Sequence, residues 1–160
     1  LSIFTIMKEE PLRIGAKLHV LLGGAFKAAT ERFVLNVSEL GLEITFDQWS
    51  ILGPIWQMEG ASQKELGKVT TKDKTSVTRI INSLEEKNLV VRVSDQIDKR
   101  VKRVVLTKKG EKLFYDILPV MDKTRREMNK NISESDRKTF KTVLSKLIIN
   151  HEECCKEQEV

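Results

Sequence analysis

Between Asp95 and Thr107 the chain reads "DQIDKRVKRVVLT", in which Lys99, Arg100, Lys102 and Arg103 stand between two short β-branched runs. So many cations on one short loop repel each other, and they are best accommodated beside water or a polyanion. A second polar set lies upstream in "DKTSVTRIINSLEEKNL": Lys74, Thr75, Ser76, Thr78, Arg79 and Asn82, all of hydrogen-bonding type and moderate length. A third, Ser62, Gln63 and Lys64, opens the segment before it and has the donors needed to touch a phosphate. Enzyme chemistry is not indicated. The chain has two His and two adjacent Cys, and shows no nucleophile beside a base, no glycine-rich phosphate loop and no metal-ligand spacing.

The elements that must hold these residues are legible from periodicity. Leu18, Leu21, Leu22, Ala25, Phe26 and Phe33 recur at three- and four-residue steps, which predicts a long amphipathic helix from about Leu12 to Ser38. "ITFDQWSIL" carries a capping box, Thr45 with Gln48, and starts a second helix with a kink or early end expected at Gly53-Pro54. Ser62 and Glu65 repeat that spacing and start a third, short helix. In the fourth, Val77, Ile80, Ile81 and Leu84 form one apolar stripe, which turns Thr75, Thr78, Arg79 and Asn82 outward with Lys74 and Ser76 beside them. Asn88 is placed to end that helix in a left-handed conformation. "LVVRVS" and "RVVLT" then predict an antiparallel hairpin whose tip is the basic stretch. Two further helices follow, one capped by Thr107 with a kink expected at Pro119, the other after "ISESD" with Phe140, Val143, Leu144, Leu147 and Ile148 on one side.

With 160 residues, 40% hydrophobic and 32% charged, the chain can bury a single core and is not of disordered composition. Its net charge of +5 is concentrated: residues 62–112 hold fourteen Lys and Arg against seven Asp and Glu, so everything else is slightly acidic. No segment is long enough to span a bilayer, "LSIFTIM" is too short for a secretory core, and Cys154 and Cys155 define no disulfide framework. These points favour a cytoplasmic setting. His151, Cys154 and Cys155 read as a frayed end rather than a metal or redox cluster, and Trp49 and Trp56 read as packing residues.

The order of elements, a mainly α chain with a small β-hairpin wing after three helices, is that of a winged helix-turn-helix core with N- and C-terminal helices added. Such a core fits duplex DNA, whose major groove admits one helix and whose narrowed minor groove favours an inserted guanidinium.

The sequence resembles the MarR (multiple antibiotic resistance regulator) family of dimeric transcription regulators over nearly its whole length. "ITFDQWSIL" looks like that family's second helix, "SQKELGKVTTKDKTSVTRIINSLEEKNLVVR" its helix-turn-recognition-helix run, and "DKRVKRVVLT" its wing signature. Thr70-Thr71, where the family commonly has an apolar residue and Gly, and Gly53-Pro54 depart from the pattern. The resemblance implies that residues 43–111 are the DNA-binding domain and that 8–42 and 112–155 interlock with a second copy through Leu18, Leu22, Phe140, Leu144 and Leu147. It implies that Asp98 braces the Arg100 guanidinium as a bidentate pair and that Arg100 enters the minor groove. It further implies a repressor on a pseudo-palindromic operator, needing no cofactor and responsive to a small-molecule effector. A winged-helix module that meets an acidic protein instead of DNA is the alternative.

Overall fold

The computed structural model describes residues 14–70, 72–95 and 97–157. The elements run α1 (Ile14–Ser38), α2 (Phe46–Gln57), β1 (Ala61–Ser62), α3 (Gln63–Thr70), α4 (Lys74–Glu86), β2 (Val90–Ser94), β3 (Lys102–Leu106), α5 (Lys108–Met128) and α6 (Glu134–Glu157). The expected class, mainly helical with a β wing, is what the chain adopts. Two compact units are present, one ending at Arg125 and one beginning at Arg126. The second consists of the end of α5 and α6, whose first turn is capped by Ser133 through the Asp136 amide at 3.0 Å.

In the first unit the core is built where the apolar stripes converge. Ile51, Leu52 and Ile55 of α2, Leu66 of α3, Val77, Ile81 and Leu84 of α4 and Val104 of β3 are essentially inaccessible to solvent. Each such side chain stabilises the fold by roughly 1.5–3 kcal/mol relative to exposure, which makes the orientation of α4 costly to change. An aromatic chain joins α1, α2 and α5: Phe114 stacks on Trp49 at 5.1 Å and on Trp56 at 4.9 Å, and Phe33 meets Phe46 edge-on at 5.5 Å. Trp49 is thus a packing residue, whereas Trp56 stacks on Phe114 with 44% of its surface exposed. Asn36 and Thr124, buried and hydrogen-bonded at 2.9 Å, add a polar link between α1 and α5.

Local signals in the sequence account for most boundaries. Gln48 donates its amide to Thr45 and Thr45 donates its own to the Gln48 side chain, both at 3.1 Å, closing the capping box of α2. Asn88 has φ 57° and ends α4 as expected, and Thr107 caps α5 by accepting from the Gly110 amide at 3.1 Å. Leu12 and "LSIFTI" lie outside the described residues, as does Thr71.

Three expectations are corrected. Pro54 does not end α2, which continues to Gln57: the ring forfeits one hydrogen bond, whereas buried Ile51, Leu52 and Ile55 hold the turns on either side of it. The wing is a three-stranded antiparallel sheet in the order β1-β3-β2, because Ala61 and Ser62 pair with Val104 and Arg103. Two residues are too few to carry an alternation signal. The last helix includes His151, Cys154 and Cys155 and runs to Glu157 rather than fraying before them.

Close approach decides one further position. Gly110, in the first turn of α5, is buried against the start of β2, and a Cβ there would lie 1.9 Å from the Leu89 carbonyl oxygen. That oxygen also accepts from the Thr107 amide at 3.1 Å, so α5 is docked on β2 by backbone contact.

Candidate nucleic-acid interface

The helix-turn-helix is fixed by hydrogen bonds at its corners. Asp73 caps α4, its carboxylate accepting the Ser76 hydroxyl at 2.6 Å and the Ser76 amide at 2.9 Å. Those two bonds, the hydroxyl first, hold the Asp73 carboxyl below the usual aspartate range. Ser62 caps α3 with Glu65 reaching back to the Ser62 amide at 2.7 Å, and that amide bond is the main reason the Glu65 carboxyl is also held low. Gln63 Nε2 donates to Thr78 Oγ1 at 2.9 Å, tying the start of α3 to the middle of α4.

These bonds sort the expected contact residues. Lys74, Thr75, Thr78, Arg79 and Asn82 line one open depression on the outer side of α4. Lys64 and Gln63 line a second with Lys68 and Lys74, so Lys68 joins the set although periodicity alone did not single it out. Ser62 and Ser76 are engaged in the two caps. Among the described residues the cationic groups of Lys64, Lys68, Lys74, Arg79, Lys99 and Arg100 have no hydrogen-bond or ion-pair partner. All six are exposed, two on α3, two on α4 and two at the hairpin tip.

The wing departs from expectation in two ways. Arg103 faces the fold: its guanidinium donates to the Gly60 carbonyl at 2.5 Å and to Asp95 Oδ2 at 3.4 Å, so it secures the base of the wing. The partner of that bond is 43 residues away, beyond the reach of any local pattern. Asp98 does not clamp the Arg100 guanidinium. Its Oδ1 accepts the Arg100 backbone amide at 3.0 Å and shapes the turn, leaving the Arg100 side chain exposed. Lys102, also exposed, donates to Ser94 Oγ at 2.7 Å across the hairpin.

Asp95 is the residue that sequence reasoning missed. Its Oδ1 accepts the Ile97 amide at 2.8 Å and the Asp98 amide at 3.0 Å. The Asp98 amide, then the Ile97 amide, and to a smaller degree Arg103, hold its carboxyl below the usual aspartate range. A carboxyl depressed in the folded state contributes stability in full above its unfolded value of about 3.9 and loses it as pH falls through the folded value. The Ile97 and Asp98 amide resonances are therefore expected to titrate together below about pH 4. A shared midpoint at or above that of an unstructured aspartate would show that Asp95 does not organise the tip.

Arg92 of β2 was likewise not singled out. Its NH1 pairs with Glu85 Oε2, its backbone amide donates to Glu85 Oε1 at 3.1 Å, and its NH2 donates to Asn82 Oδ1 at 2.8 Å. Asn82, expected on the outward face of α4, is thus also held by the wing strand.

Two capped helices, an outward polar face on the second of them and a basic three-stranded wing define a winged helix-turn-helix protein. Residues 44–102, from just before α2 to the first residue of β3, match the model of the MarR family, the family that the helix and wing motifs resemble. Solved structures share the fold over most of the chain. A mutant E. coli MarR complexed with operator DNA is 23% identical with a TM-score of 0.76, covering 92% of this chain and 99% of that one. Bordetella bronchiseptica BpsR, described with a mechanism for regulation of its DNA binding by 6-hydroxynicotinic acid, is 20% identical with a TM-score of 0.76, covering 86% and 97%. A probable transcriptional regulator from Pseudomonas aeruginosa is 21% identical with a TM-score of 0.75, covering 84% and 99%. No helix among the described residues is long and apolar enough to cross a membrane.

Proposed function

We propose that the chain is a sequence-specific, duplex-DNA-binding transcription regulator of MarR type that works as a homodimer. The observation that carries this reading is the unpaired basic set: six cations on α3, α4 and the hairpin tip have no protein partner among the described residues, in a domain whose neighbours include one complexed with operator DNA. Folding does not use that charge, and a phosphate backbone does.

In this reading Thr75, Thr78, Arg79 and Asn82 of α4 face base edges in the major groove, Lys64, Lys68 and Lys74 meet phosphates, and Lys99 and Arg100 reach the adjacent minor groove. Ser62, Gln63 and Ser76 hold the caps and the helix pair in place. Residues 43–111 form the DNA-binding domain, and residues 8–42 and 112–155 supply the dimer contacts. Support for the dimer is the apolar surface left uncovered in one copy: Leu18, Phe26, Val34 and Leu35 on α1 and Phe140, Val143, Leu147 and Ile148 on α6 are 39–62% exposed. Two copies related by a two-fold axis would read a pseudo-palindrome with half-sites about 34–36 Å apart.

Repression, with operator affinity lowered by a small molecule, is the regulatory mode we infer. An effector can do this only to the extent that it prefers the conformation that does not fit the operator. No catalysis and no resident cofactor enter the reading.

Selection of bound duplex from a random pool tests it. The expected result is one enriched pseudo-palindromic site. Equal recovery of all sequences, together with tight binding to an acidic protein, would favour the protein-interaction module.

A further inference from the structure

We propose that Arg92, clamped by Glu85, sets Asn82 to read a guanine rather than an adenine at the base pair it faces. The proposal rests on the DNA-binding reading above and deepens it from a surface to a base preference.

The hydrogen bond between Arg92 NH2 and Asn82 Oδ1 measures 2.8 Å. A guanidinium has donors only, so the amide atom facing it must be the carbonyl oxygen. Arg92 is itself immobilised, since both oxygens of Glu85 engage it, one through the guanidinium and one through the backbone amide. Glu85 and Asn82 are three residues apart on α4 and so share a side of that helix, beside β2. The orientation of the amide is therefore settled in the free protein.

An unrestrained asparagine pairs with adenine by accepting from N6 and donating to N7. Here the N6 amino group would have to approach an oxygen already bonded to a cation, with its own partial positive charge facing the guanidinium. Guanine presents O6 and N7, both acceptors. The Asn82 Nδ2 donates to either, and the nearby positive charge favours O6 further.

The rest of the face has the same polarity. Arg79, one turn earlier, contributes an unpaired guanidinium. Thr78 Oγ1 already donates to the Lys74 carbonyl at 2.8 Å and accepts from Gln63. Ser76 donates its hydroxyl to Asp73, and Ser83 Oγ accepts from Gln48 Nε2 at 2.9 Å. Among the described residues of this face, the acceptors at its centre, on Thr78, Asn82 and Ser83, each already accept a bond, whereas Thr75 and Glu86 lie at its two ends, so the centre of α4 is the donor-rich part.

The test is selection from a random duplex pool with the full chain and with Asn82→Ala, Arg92→Met and Glu85→Gln. Asn82→Ala identifies the base pair in question, as the one whose discrimination collapses. At that pair the unaltered chain is expected to favour guanine over adenine by about tenfold. Arg92→Met is expected to bring the ratio to parity or reverse it with the rest of the site unchanged, and Glu85→Gln to erode it partly. In the DNA-free protein the Asn82 side-chain amide resonances are expected to move in Arg92→Met, which reports the contact without any DNA. Adenine preferred by the unaltered chain, a preference indifferent to both Arg92→Met and Glu85→Gln, or a selected site with no position that depends on Asn82 would each overturn the proposal and leave DNA binding standing. If Arg92→Met does not fold, the Glu85→Gln ratio and its amide shift decide. A chain that enriches no sequence at all removes the DNA reading, and this proposal with it.

Discussion

Raising monovalent salt from about 50 to 200 mM is expected to weaken binding to the selected operator by roughly 10³-fold or more. Each neutralised phosphate releases condensed counterions, and the slope of log K against log salt is about −0.9 per phosphate on B-form duplex. Lys64, Lys68, Lys74, Arg79, Lys99 and Arg100 have no internal partner among the described residues, so each copy brings six cations whose charge is not already compensated. Even if only half of them in each of two copies meet a phosphate, the total is about six contacts, the lower end of the range for which such losses are typical. Arg103 is excluded from the count because Asp95 and the Gly60 carbonyl occupy it. Fluorescence anisotropy across a salt series checks both halves of the argument. Lys99→Ala with Arg100→Ala is expected to flatten the slope by about two for each wing that contacts phosphate, whereas Lys102→Ala, whose ammonium is shared with Ser94, flattens it less. A slope near zero would mean that the basic surface does not meet a nucleic-acid backbone.

Gly110→Ala is expected to destabilise the folded chain by about 3 kcal/mol, lowering the thermal midpoint by roughly 6–12 °C. In an open helix the same change would be favourable by up to about 1 kcal/mol. The sign reverses here because the added carbon would lie 1.9 Å from the Leu89 oxygen and 2.9 Å from its carbon, both backbone atoms that cannot rotate away. Relief requires α5 to lift from β2, which breaks the Thr107 amide bond to Leu89 and the Thr107 hydroxyl bond to the Asn88 carbonyl. Gly53→Ala is the control, since a Cβ there meets nothing within 4 Å, and it is expected to leave stability unchanged or slightly raised. Thermal unfolding of the two variants side by side decides the matter. Equal midpoints would show that the α5 docking is loose.

How far the sequence discloses this architecture depends on the range of the interaction involved. The stripe Val77, Ile80, Ile81 and Leu84 is buried, as its spacing requires, and with that stripe inside, the outer side of α4 follows geometrically. The capping boxes at Thr45 and Ser62 and the left-handed Asn88 are likewise local, each settled within a few residues. What the sequence hides are bonds between elements. Arg103 looks like one more wing cation until Gly60, on the far side of α3 and α4 in the chain, is brought beside it by the β1-β3 pairing. Arg92 sits in a strand whose pattern reports only which residues are buried, and its grip on Asn82 depends on how β2 packs on α4. The resemblance to MarR regulators marks Asp98 and Arg100, whereas the coordinates show Asp98 shaping the turn and Asp95 gathering two amides and an arginine.

Because Ala61 and Ser62 form a strand with Val104 and Arg103, the hairpin is not a flap hung on a hinge. It is stitched at its root to the corner from which α3 starts, and through Arg92 to the flank of α4. These bonds couple the tilt of the finger to that of the helix pair, so on the proposed DNA-binding reading both grooves are expected to be gripped or released together, and an effector is expected to act on the finger and the helix as one body.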